Sequence, residues 1–163
     1  MYEMLYFING NNFLFECLLT GLYNSKSGFF TNQTRGASWN LFKENREAGQ
    51  FMFQNQNNKV IISISARDNT KFEFYNPTLV DIELVDTFYK WDADFWKSKV
   101  KCEIQTIKKD TSNRYIVWHL IYGKAENYFL YGLRVNYLIG LNAPKQKMDE
   151  NELIKLLEDT YLK

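Results

Sequence analysis

From Phe51 onward the chain alternates apolar and polar positions in short runs separated by turn residues, the period of half-buried strands. Phe51–Gln54 and Val60–Arg67 flank Asn55-Gln56-Asn57-Asn58, and Phe72–Tyr75 stops at Asn76-Pro77. Thr78–Tyr89 is expected as the next strand. Val100–Lys108 follows, with Val100, Cys102, Ile104 and Thr106 on one face. Tyr115–Tyr122 and Tyr128–Ile139 complete the series, joined through Gly123–Asn127. Short turns between sequential strands favour antiparallel pairing.

Upstream, Met4–Ile8 reads as a strand closed by Asn9-Gly10, a strong hairpin signal because both residues tolerate positive φ. Phe13–Leu22 is a return strand or a short buried helix, and residues 24–36 read as a loop. Ala37–Ala48 is expected to be helical, with Trp39, Leu41 and Phe42 apolar and Gly49 placed to cap it. A second helix over about 150–162 is announced by Asp149 and Glu152 at capping-box spacing and by Leu153, Ile154, Leu156, Leu157 and Tyr161 at helical period. The expected fold class is α+β, one domain over residues 1–163, with a curved, mainly antiparallel sheet of about six to eight strands and two helices.

Composition narrows the function classes. The chain has 163 residues, 45% hydrophobic and 24% charged, which fits a folded domain. Its formal charge of +1 argues against recognition of a strongly charged partner by the whole surface. Cys17 and Cys102 sit in apolar runs without metal-ligand spacing, so both read as buried thiols in a reducing compartment. A basic leader and an apolar run of membrane-spanning length are both missing from the pattern, so a cytoplasmic location away from the membrane is expected. Asn, Lys, Phe, Tyr and Ile, which have AT-rich codons, abound. That bias suggests a low-GC bacterium or one of its mobile elements.

Aromatic residues make up 17% of the chain and concentrate where strands are expected. Trp91 and Trp96 fall in the aromatic-rich stretch Tyr89–Trp96, and Lys97, Lys99 and Lys101 follow, alternating onto one expected strand face. Tryptophan beside cationic side chains suits a protein hot spot or a stacked base, so these five residues form the candidate binding surface. Lysines on an edge strand also serve simply to deter aggregation. His119, the only histidine, sits mid-strand between apolar neighbours and reads as structural. Asp81 and Glu83 would share a strand face, the arrangement some metal-dependent nucleases use. No catalytic residue, cofactor or metal ligand is assigned.

The expectation is a non-enzymatic binding protein acting by protein–protein contact, of the kind mobile elements use as inhibitors or immunity proteins. The alternatives are a single-stranded nucleic-acid-binding module and a metal-dependent nuclease.

Overall fold

The computed structural model describes residues 39–45, 49–146 and 148–162. Seven strands among these residues form one sheet: β1 Trp39–Asn45, β2 Gln50–Asn55, β3 Ile61–Asp68, β4 Glu103–Asp110, β5 Tyr115–Tyr122, β6 Ala125–Arg134 and β7 Tyr137–Pro144. Their spatial order is β1-β2-β3-β7-β6-β5-β4, every neighbouring pair is antiparallel, and the sheet is open. Among the described residues two α-helices, α1 Asp81–Lys99 and α2 Glu150–Leu162, pack on it. The α+β class and the antiparallel sheet are as expected. The expectations for Met4–Ile8, Asn9-Gly10, Phe13–Leu22 and residues 24–36 lie outside the described residues.

The internal helix is in the chain, but elsewhere. Over 39–45 the backbone is strand β1, hydrogen-bonded to β2 with Trp39 opposite Asn55 and Leu41 opposite Phe53. Gly49, at φ 61°, is a turn residue immediately before β2. Helix propensity over so short a segment is worth little against the ladder with β2, which shifts register only between Leu41 and Lys43.

Thr78–Tyr89 is the converse correction, since α1 occupies 81–99. Val80, Ile82 and Leu84 mimic a strand, but Leu84, Val85, Phe88 and Asp92 all turn inward at helical spacing. Glu83 Oε2 accepts from the Val80 backbone N–H at 3.0 Å, which satisfies one of the orphan donors at the helix start. Phe72–Tyr75 is not a strand either. Asp68 accepts from Thr70 N at 2.9 Å and Asn76 from Thr78 N at 3.0 Å, so side chains turn the backbone at both ends. Phe72 is buried and Phe74 stacks on it at 4.9 Å, both over α1.

The two helices take opposite faces. Alternation along β5 sends Ile116, Trp118 and Leu120 toward α1 with Leu84, Val85 and Phe88. It sends Tyr115 and Val117 toward α2 with Leu153, Leu157 and Tyr161. A strand covered on both faces reads as a near-continuous apolar run, as Tyr115–Trp118 does before the buried His119. The capping box of α2 is present: Glu152 N donates to Asp149 Oδ1 at 2.9 Å, and Asp149 N donates to Glu152 Oε2 at 3.3 Å.

Candidate protein-binding face

The face of the sheet toward α1 is divided. Its β5–β6 half is apolar and lies under α1, which packs chiefly on those two strands. Its other half is mainly polar, with Ile61 opposite Gln54 as an apolar member. Met52 pairs with Ser63, and Gln50 with Ser65. Ser63 pairs in turn with Asn142. With Gln54 and Arg67, these side chains share one face and are all half-buried. The reverse face of the same strands carries Ile62, Ile64 and Leu141, buried in the core beneath α2. The alternation Ile62-Ser63-Ile64-Ser65-Ala66-Arg67 thus makes a one-sided strand whose polar side no described helix covers.

The boundary between the halves falls at Gly140. A Cβ there would meet Ser65 Oγ at 2.7 Å and the Tyr131 ring at 3.4 Å. The missing side chain lets Tyr131 lean across, and its hydroxyl donates to Asp92 Oδ2 at 2.6 Å. Asp92 is buried on α1, and this hydrogen bond offsets part of the cost of burying its carboxyl group. The open half therefore abuts a fixed wall. Its chemistry is amide, hydroxyl and thioether with the Arg67 guanidinium, a mixture suited to adaptable hydrogen bonding.

The five residues singled out from the sequence lie elsewhere. Trp91 is half-buried in α1, its ring 5.7 Å from Phe74 and its Nε1 donating to Glu73 at 2.8 Å. Trp96 is half-buried and stacked on Tyr122 at 6.0 Å. The lysines do not alternate along a strand. Lys97 and Lys99 belong to the last turn of α1, and Lys101 to the connection before β4. There they complement the negative end of the helix dipole. Lys97 lies 3.6 Å from Asp94, and Lys99 stands 5.5 Å from the centre of the Phe95 ring.

Asp81 and Glu83 are on α1, not on a strand. Asp81 pairs with Arg114 at 2.7 Å, and Glu83 is held by the helix start. Among the described residues no group of three His, Cys, Asp or Glu side chains is placed to hold a metal ion. Cys102 is a half-buried free thiol, and Cys17 lies outside the described residues. No described helix is long and apolar enough to cross a membrane.

His119 stacks face to face on Tyr128 at 4.2 Å and is buried. Its Nε2 lies 3.4 Å from Glu126 Oε2, too poorly aligned for a hydrogen bond, and Lys145 takes the same oxygen at 3.0 Å. Burial holds the imidazole below its ordinary pKa, with Glu126 and Glu150 opposing and Lys145 assisting. The unfolded chain therefore takes up this proton first on acidification. Stability from His119 is complete above about pH 6.5, the ordinary histidine value, and falls as the pH drops toward the folded pKa. In denaturant unfolding from pH 7.5 to 5, His119→Gln is expected to show a shallower loss of stability than the parent. Equal slopes would remove His119 from the acid response.

No protein-family model matches the chain, and no curated protein does.

Proposed function

We propose that this is a non-enzymatic protein that works by binding another protein through the open half of the sheet, in the cytoplasm, as an inhibitor or immunity protein of a mobile element. The observation that carries the reading is the divided α1 face, where a helix buries one half and the other, which no described helix covers, carries the half-buried Gln50, Met52, Gln54, Ser63, Ser65 and Arg67 on paired strands. Methionine and arginine are enriched at protein interfaces. The near-neutral charge of this patch suits a protein better than a phosphate backbone, whose binders concentrate cations. Base stacking has less support, since Trp91 and Trp96, the two tryptophans that precede the lysines in sequence, pack against the protein's own aromatics. The free Cys102 thiol agrees with a reducing compartment. The mobile-element origin rests on the AT-rich codon bias.

The test is affinity for a captured host protein, measured with two sets of variants. Met52→Ala and Arg67→Ala are expected to weaken binding, at least one of them by about 2 kcal/mol. The triple change of Lys97, Lys99 and Lys101 to alanine should alter chiefly the association rate. Loss of binding in the lysine variant alone, with Met52→Ala and Arg67→Ala binding like the parent, would move the interface to the end of α1.

A further inference from the structure

We infer that two copies of this chain join edge to edge through β4, extending the sheet across a two-fold axis. β4 is a terminal strand, so one row of its backbone N–H and C=O groups has no ladder partner among the described residues. Glu103, Gln105, Thr106, Lys108 and Lys109 along it are exposed. An edge strand of this kind accepts an added strand. The side chains decide which strand fits.

The charge along β4 changes sign. Glu103 opens the strand and Lys108 and Lys109 close it, with Lys101 just before and Asp110 at the end. Gln105 lies opposite His119, Lys108 opposite Val117 and Asp110 opposite Tyr115. The bulge between Thr106 and Lys108 makes Ile107 the extra residue, so Glu103, Gln105, Lys108 and Asp110 all stand on the α2 side. An antiparallel copy centred on Gln105 then sets Glu103 beside Lys108 of the second copy and brings Lys101 toward Asp110 of the second copy. The two-fold repeats both pairings. Glu103 and Lys101 have no ion pair within their own chain among the described residues, while Lys108 already holds Glu158 at 2.6 Å. The bulge and the lysines turn away a generic strand, and a charge-matched copy is the exception. This surface is separate from the open half-face, which lies on β2, β3 and β7.

Sedimentation of the parent over the micromolar range, with charge-swapped variants, tests the pairing. Glu103→Lys and Lys108→Glu are each expected to weaken the dimer by roughly tenfold or more through like-charge contact. Mixing the two variants should restore it, because every cross-pair becomes complementary again. Lys101→Glu disturbs no ion pair among the described residues and should also weaken the dimer, which guards against misfolding of Lys108→Glu. A parent that sediments as a monomer throughout overturns the proposal. So do folded single variants as dimeric as the parent, or a mixture that stays monomeric.

Discussion

Deleting residues 149–163 is expected to leave a chain that no longer unfolds cooperatively. Leu153, Leu157 and Tyr161 of α2 are buried against Tyr115, Val117, Tyr128, Leu130 and Leu141, so the deletion uncovers one face of the sheet. Burying each such side chain is worth about 1.5–3 kcal/mol, and the sum approaches the total stability of a typical domain. Polar contacts go as well. Glu158 accepts from the Tyr115 hydroxyl and from Lys108 Nζ, both at 2.6 Å. Burial, with that carboxylate beside it, pushes the Tyr115 phenol up to about 12. The truncated protein should be insoluble, or soluble with strong binding of a hydrophobic dye and no sharp melt. A cooperative melt near the full-length temperature would show that α2 is not part of the core.

Gly132→Ala is expected to cost about 3 kcal/mol, at the upper end for overpacking. A methyl at Gly132 would run into the ring of Tyr161, within 2.7 Å of its hydroxyl. The ring has little room to retreat. Its hydroxyl lies 3.0 Å from the carbonyl oxygens of both Asn113 and Leu133, and the Arg134 guanidinium covers the ring at 5.0 Å while donating to the Tyr161 carbonyl. A melting temperature lower by roughly 6–12 °C is the expected reading for a chain of this size. In a Tyr161→Leu background the same change should lose most of its cost, since the clash is with the distal ring. A large penalty that persists there would trace the effect to the backbone of β6.

Much of this architecture was legible because sheet and helix periods differ. The one-sided alternation of β3 and the capping box of α2 both lie in consecutive residues. The misreadings have particular causes. Val80-Asp81-Ile82-Glu83-Leu84 alternates for five residues, long enough to imitate a strand, before Val85 and Phe88 reveal the helical stripe. Nineteen residues without a turn signal also exceed an ordinary strand. β1 was hidden for the opposite reason, since only pairing with β2 distinguishes its Trp39–Asn45 segment from a short helix. The polar side of β3 was readable, but which half of the sheet α1 would cover was not. That depends on contacts between Phe88 and Tyr131, far apart in sequence. Reading the end of α1 as extended also sets Lys97, Lys99 and Lys101 on one strand face, whereas Lys97 and Lys99 stand on the last helical turn.

Hydroxyl-radical footprinting of the protein with and without its captured partner tests the binding face most directly. Met52 lies on the open half, whereas Met148 packs against the core under α2 and serves as the internal reference. Oxidation of Met52 is predicted to fall sharply in the complex while Met148 is unchanged. Equal oxidation of Met52 in both states, with protection confined to Lys97–Lys101, would contradict the account.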